Sequence, residues 1–322
     1  MLALFPASGA LGGSIASHLV DRVPANSLVF VARHPHKLSD YSAKGVTVRH
    51  ADYDAHDTLE HAFDGVDSLC LISYASIQND HRFESHKAAI IAARASGVKH
   101  ILYTSLAFAG EPESTSSVTQ VMQAHLRTEA YLREIAAEDP SFAFTVVREG
   151  LYTESFPLYT AFFSLSSPSS PPTIRIPHDG AVPGVAWAKL DELGEATARI
   201  LADLVVAADA ERPKYTNELV LLTGERAVSL ADTVALLGAA SGQPDLRIEP
   251  VSVEEYAAQP SMGPGFASYG GAKWAAPWAS AFEGIRRGET AVVTRSLRDI
   301  LGREPEPVEV TLRKMGEQAR GE

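Results

Sequence analysis

Met1-Leu2-Ala3-Leu4-Phe5-Pro6-Ala7-Ser8-Gly9-Ala10-Leu11-Gly12-Gly13 opens the chain and decides its fold. Leu2 to Phe5 reads as a short apolar strand that runs straight into a turn of small residues, Pro6 to Gly12. An amphipathic helix follows, with Ile15, Leu19 and Val20 at its apolar positions. Strand, small-residue turn and helix in this order open a dinucleotide-binding βαβ unit. Gly9 lets backbone approach a pyrophosphate, and Gly12 lets helix and strand pack closely. The first helical turn offers free N–H groups and a positive dipole end to phosphates. Pro6 stands where the G-x-x-G-x-x-G spacing has its first glycine. It removes an N–H and restricts φ, but leaves Ser8, Gly9 and the helix N–H groups for a phosphate. The same stretch also suits an ordinary tight βα turn.

The next residues favour the nucleotide reading. Ser27 to Ala32 is a second apolar strand with Arg33 just past its end. In this fold that position faces the adenosine ribose, where an acid binds a 2′-hydroxyl and an arginine accommodates a 2′-phosphate. Arg33, with Lys37 one helical turn later and His34 and His36 beside it, points to NADP(H). A solvated basic patch at a helix start is the plainer alternative. A third strand, Val46 to His50, leads into Ala51-Asp52-Tyr53-Asp54, which suits either an adenine contact around Asp52 or an Asx turn before Thr58.

The strand–helix rhythm continues to residue 150. Ser68–Ser73 is a fourth strand, Asp80–Ser96 a helix stopped by Gly97, and His100–Thr104 a fifth strand. Val118–Ala137 is a helix and Ala143–Arg148 a sixth strand. Alternation of this kind with near-continuous apolar strands predicts an α/β, Rossmann-type, doubly wound parallel sheet. The expected organisation is a nucleotide-binding domain over 1–150 and a smaller α/β substrate lobe over 151–322, partly woven back into the first domain. In the second part, helices are expected over Ala188–Ala207, Ser229–Ala240, Ala279–Arg287 and Ser296–Leu301, and strands over Leu219–Leu222 and Leu246–Val251. Residues 164–172 and 260–271, rich in Ser, Pro and Gly, read as loops.

The 322 residues, 45% of them hydrophobic, suffice for a large core of a globular protein. Forty acidic against 28 basic residues give a net charge of −12, which argues against binding nucleic acid or an anionic membrane surface. A single cysteine, Cys70 in an apolar strand, permits no intramolecular disulfide and suits a reducing compartment. A strand beginning at residue 2 and the lack of a long apolar run make the cytoplasm the expected location. The eleven histidines lack the spacing of a metal site.

Chemistry is expected where the strands end. Ser73 and Tyr74 follow the fourth strand; Thr104 and Ser105 end the fifth, where a hydroxyl can hydrogen-bond a substrate carbonyl. The following helix lacks the Tyr-x-x-x-Lys pair of extended short-chain reductases. It carries His125 and Glu129 four apart on one face, where a glutamate would orient the imidazole and raise its pKa, so that His125 could donate a proton. An exposed helical His–Glu pair is the plainer reading. Tyr152, after Arg148-Glu149-Gly150, would project toward the same cleft. Trp187, Trp274 and Trp278 suit either pocket or core.

These motifs in this order resemble the NmrA-like atypical short-chain dehydrogenase/reductase family: Pro6 to Gly12, Val31 to Lys37, Ala51 to Asp54, Ser96 to Ser105, His125 to Glu129 and Val147 to Ser155. Within the family the likeness is greatest to the type 2 NADPH:quinone oxidoreductases and their fungal relatives. The resemblance implies a Rossmann core that binds NADP(H) without a Tyr–Lys pair. Ala7, Ser8, Gly9, Ala10, Leu11 and Gly12 would form the phosphate turn, and Arg33 with Lys37 would take the 2′-phosphate. Asp52, Ser73, Tyr74 and Thr104 would lie along the cofactor. Ser105, His125, Glu129 and Tyr152 would serve catalysis, with a small quinone or carbonyl compound as substrate. The family also includes members that sense the redox state of the cofactor and bind regulatory proteins. A redox-neutral isomerase, dehydratase or cyclase on the same scaffold is a further reading. The sequence leaves oligomeric state open, a homodimer included.

Overall fold

The computed structural model describes residues 1–167, 171–206 and 213–321. Its strands, in chain order, are β1 (Leu2–Phe5), β2 (Leu28–Ala32), β3 (Thr47–His50), β4 (Ser68–Ile72), β5 (His100–Leu106), β6 (Ala143–Glu149), β7 (Thr173–Ile176), β8 (Glu218–Leu222) and β9 (Arg247–Pro250). The main helices are α1 (Ala10–Leu19), the short α2 (Ser39–Ala43), α3 (Asn79–Ala95), α4 (Met122–Glu138), α5 (Leu190–Val206) and α6 (Leu230–Ser241). A last helix, Val308–Arg320, closes the chain.

Seven strands form one parallel sheet in the order β3-β2-β1-β4-β5-β6-β8. Every residue of β1 and β2 is buried, as expected of strands covered on both faces. On one face α1 and α5 pack Ile15, Leu19, Leu193 and Ile200 against Leu4, Cys70 and Val147. On the other, α3 and α4 pack Ala89, Ile90, Leu132 and Ile135 against Leu69, Leu71 and Val146. A third apolar cluster joins β7, β9 and α6 through Ile174, Ile248, Leu237 and Trp187. Strand order reverses between β1 and β4, and in open α/β sheets that switch point, at the carboxyl ends of the strands, is where ligands bind.

The second half of the chain returns to the first at β8, which extends the main sheet beside β6. β7 and β9 form a separate two-stranded parallel sheet. Some elements differ from the sequence reading. The helix expected from Val118 starts at Met122, because Glu289 captures the residues before it: its carboxylate accepts from the Val118 N–H at 3.0 Å and from Ser117 Oγ at 2.6 Å. The stretch 260–271 is not simply loop: Met262–Gly265 and Ala267–Tyr269 make helical turns that bury Met262 and Phe266. β7 and the last helix are absent from the sequence reading, although Ile174 and Ile176 alternate with polar residues in β7 and Val308 and Leu312 lie on the buried face of the last helix. Gly316 lets that helix lie on α6, where a Cβ would come within 2.3 Å of the Ala240 carbonyl oxygen. Ala207 and residues 168–170 of the serine–proline stretch lie outside the described residues.

The opening turn shows why its two glycines differ. A Cβ on Gly12 would sit 2.1 Å from the Pro6 carbonyl oxygen, whereas one on Gly9 would meet nothing within 4 Å. Phe5–Pro6 is a cis peptide. Gly12→Ala is expected to lower stability by about 1–3 kcal/mol through overpacking, while Gly9→Ala costs far less; urea unfolding of the two variants checks this.

Candidate functional site

Two cavities adjoin at the carboxyl edge of the sheet. The larger, about 600 Å³, runs from Ser8, Gly9, Ala10, Leu11 and Gly12 at the start of α1 to Arg33 and Lys37 past β2. The smaller, about 240 Å³, is lined by Thr104, Ser105 and His125 on one side and by Tyr159, Tyr269 and Trp278 on the other. Ser73 and Tyr152 line both.

The larger cavity has the features a dinucleotide needs. Among the described residues no side chain caps α1, and its first turn holds no acidic residue. Its first intrahelical bond joins Gly13 N–H to Gly9 O at 2.7 Å, so the preceding N–H groups are left for a ligand. The Gly9 position, where a Cβ would meet nothing, keeps that approach open. Exposed Arg33, His34 and Lys37 put positive charge at the far end. These residues fit NADP(H). Ala7 is the exception within the turn: it is fully buried, and its N–H is spent on Val31 O at 2.9 Å. Thr104 lines the smaller cavity rather than the larger, and its Oγ1 accepts from the Ser73 N–H at 3.3 Å. Asp52 does two things: it lines the larger cavity, and its carboxylate accepts from the Asp54 N–H at 3.1 Å in an Asx turn. Tyr74 spans this rim, its hydroxyl donating to the Asp54 carboxylate at 2.7 Å, which His81 also reaches at 2.9 Å.

The expected His125–Glu129 pair does not form. Glu129, fully buried, turns to Arg148 on β6. Arg148 Nε and Nη2 donate to its two oxygens at 3.0 and 2.8 Å, and Ser105 Oγ donates to Oε1 at 2.7 Å. The Ser105 proton is therefore held by Glu129 and is not free for a substrate carbonyl. Arg148 spends its remaining donors on the carbonyls of Glu111, Pro112 and Ser114. A buried ion pair outcompetes the helical neighbour because neither charge has water to turn to.

His125 instead joins a network the sequence did not announce. His86 Nε2 accepts from the Tyr74 N–H at 2.8 Å, so its proton is on Nδ1, which donates to Thr128 Oγ1 at 2.9 Å. Arg82 Nε and Nη2 both donate to Ser73 Oγ, at 3.0 and 2.7 Å, and outcompete the longer approach of the Tyr103 hydroxyl to that oxygen at 3.2 Å. The Tyr103 hydroxyl, 3.0 Å from His125 Nδ1, then donates there. That places the His125 proton on Nε2, the ring's remaining donor, on a side chain that lines the smaller cavity. Burial first, then the nearby Arg82, His86 and Arg148, holds the His125 pKa well below the usual histidine range. The imidazole is neutral, the opposite of what a glutamate neighbour would have produced. Burial likewise pushes the Tyr103 phenol up to about 12 and the Tyr152 phenol well up, so both stay protonated.

Arg82, His86, Tyr103 and Thr128 were not expected at the site. Arg82 and His86 do lie four apart on one face of α3, a spacing visible in the sequence. Glu149 was also missed: its Oε1 accepts from Thr197 Oγ1 at 2.6 Å, its buried Oε2 has no partner among the described residues, and burial pushes its pKa up to about 8. Of the tryptophans, Trp278 lines the smaller cavity, and Trp187 is core, donating to Thr233 Oγ1 at 3.1 Å.

A model of the NmrA-like family matches residues 1–236. The NmrA-like family domain-containing oxidoreductase flvB of Aspergillus flavus is 28% identical over 312 residues, covering 96% of this chain and 92% of that protein. The structure of an NADPH-dependent quinone oxidoreductase from Escherichia coli complexed with NADPH superposes with a TM-score of 0.76 at 26% identity, covering 98% of this chain and 99% of that one. The triphenylmethane reductase of Citrobacter sp. complexed with NADP(H) gives 0.74 at 27% identity, covering 98% and 99%. Among the described residues no helix is long and apolar enough to cross a membrane.

Two outcomes follow from the buried carboxylates. Glu129→Gln leaves Arg148 without its countercharge and is expected to cost about 3–5 kcal/mol in chemical denaturation. Glu149 behaves differently, because its pKa rises from 4.5 to about 8 on burial. Between those values the folded protein keeps a proton that the unfolded chain has lost. Its contribution to stability is full below the lower value and is lost as pH rises through the upper one, at up to about 1.4 kcal/mol per pH unit. Stability of Glu149→Gln, measured over the same range, is expected to lack this decline.

Proposed function

The chain belongs to the NmrA-like family as an NADP(H)-dependent oxidoreductase, and we propose that its substrate is a quinone or another conjugated carbonyl compound. The observation that carries this reading is the neutral His125 lining an apolar-walled cavity that opens onto the dinucleotide-shaped one. NADPH, when bound in the larger cavity, supplies a hydride. The substrate would lie against Tyr159, Tyr269 and Trp278, whose faces suit a flat conjugated ring. Hydride addition to such a compound leaves charge on oxygen. The His125 Nε2–H is a fixed donor for that oxygen, and Tyr103 holds its tautomer. A neutral imidazole does not readily surrender its proton, so the one proton that completes the reduction comes from water and goes to the quinol monoanion or enolate left by hydride addition. Tyr152, protonated and at the junction of the cavities, is a second hydrogen-bond donor. The reading accounts for the lack of a Tyr–Lys pair, since a conjugated acceptor needs little acid assistance. The Escherichia coli relative, named a quinone oxidoreductase, supports it.

The test is anaerobic oxidation of NADPH against a panel of quinones and enones. Stoichiometric oxidation with NADPH preferred over NADH is expected. His125→Phe is expected to lower kcat about 10²-fold while leaving the NADPH dissociation constant unchanged. Conversion of a carbonyl compound without net change in NADPH would overturn the reading in favour of a redox-neutral enzyme.

A further inference from the structure

The chain buries two arginines beside the sheet edge and treats them oppositely. Arg148, 0% exposed, has a bidentate carboxylate partner in Glu129. Arg82, 7% exposed in the first turn of α3, has one serine hydroxyl. Among the described residues no carboxylate pairs with it, and the groups around it are the phenols of Tyr53, Tyr103, Tyr152 and Tyr269 and the rings of His86 and His125. A guanidinium this deep is costly without a countercharge.

Its orientation says where the countercharge belongs. Nε and one Nη2 proton are taken by Ser73, which uses one edge of the planar fork. The Nη1 and second Nη2 protons have no acceptor among the described residues. They are not sealed against protein either, because Arg82 lines the smaller cavity. It does not line the larger one, whose own cations and helix N–H groups serve nucleotide phosphates. Two parallel N–H groups on a rigid edge match a carboxylate in bidentate geometry.

We propose that the substrate carries a carboxylate, bound by the free Nη1/Nη2 edge of Arg82, so that this enzyme acts on a conjugated carbonyl acid. The carbonyl half rests on the function proposed above; the anion half stands on Arg82 alone. Ser73 ties the two sites together. It lines both cavities and holds Arg82, so the acid group would be anchored next to the junction where the carbonyl meets the cofactor.

The experiment uses 3-benzoylacrylate and its methyl ester, with calorimetric binding to the protein–NADP⁺ complex and anaerobic NADPH oxidation as separate readouts. The wild-type protein is expected to bind the acid more tightly than the ester by about tenfold or more. Arg82→Gln should erase that preference with NADPH affinity unchanged, and Arg82→Lys should restore part of it. Equal binding of acid and ester by the wild type overturns the proposal without reference to any variant. So does a loss of NADPH affinity in Arg82→Gln as large as the loss for the acid, which would assign Arg82 to the cofactor. If the acid preference holds and vanishes in Arg82→Gln but neither compound is reduced, the anion site stands and the reductase reading falls.

Discussion

The buried Glu129–Arg148 pair is the constraint on which the site depends. It joins α4 to β6 across β5 and draws in Ser105 and the carbonyls of Glu111, Pro112 and Ser114. Both side chains are 0% exposed, so neither can relax into water if the partner moves. Such a pair need not add net stability over an apolar substitute, but it has only one satisfactory arrangement. By anchoring α4 at Glu129, it sets where His125, one turn earlier, stands against the cavity.

Around that anchor the electrostatics run against simple pairing. His86 and His125 are buried near Arg82, and both are held neutral by burial and by that cation. Neutral rings have distinct donor and acceptor sides, so a chain of hydrogen bonds from Tyr74 through His86 to Thr128, and from Tyr103 to His125, specifies each tautomer. The result is an apolar-walled cavity whose polar groups are aimed before any ligand arrives, the condition under which a hydrogen bond contributes most to stabilising developing charge. Arg82 holds the network's positive charge and keeps an edge of its fork open.

Much of this was legible along the chain. Leu2–Phe5 and Leu28–Ala32 are apolar throughout, which only strands covered on both faces tolerate, and the small residues between Phe5 and Gly13 leave little but a tight turn into a helix. The place of Arg33 at the larger cavity was legible because it follows a strand, at a position where this fold class puts its ligands. The site's inner wall was not. His125 and Glu129 sit on one helical face, and local spacing made them partners; the competing partner, Arg148, is nineteen residues away in sequence. Likewise Glu289 decides where α4 begins from 171 residues further along.

The sequence by itself determined the element order, the parallel sheet, the small-residue turn into α1 and the basic end of the larger cavity. These depend on local periodicity, on glycine and proline, and on positions relative to strand ends. Only the tertiary structure decided which charges pair, which histidine nitrogen carries a proton and which arginine is left for a ligand. Those choices are made by burial: once water is excluded, each polar group takes the best partner in space, and nearness along the chain no longer ranks them.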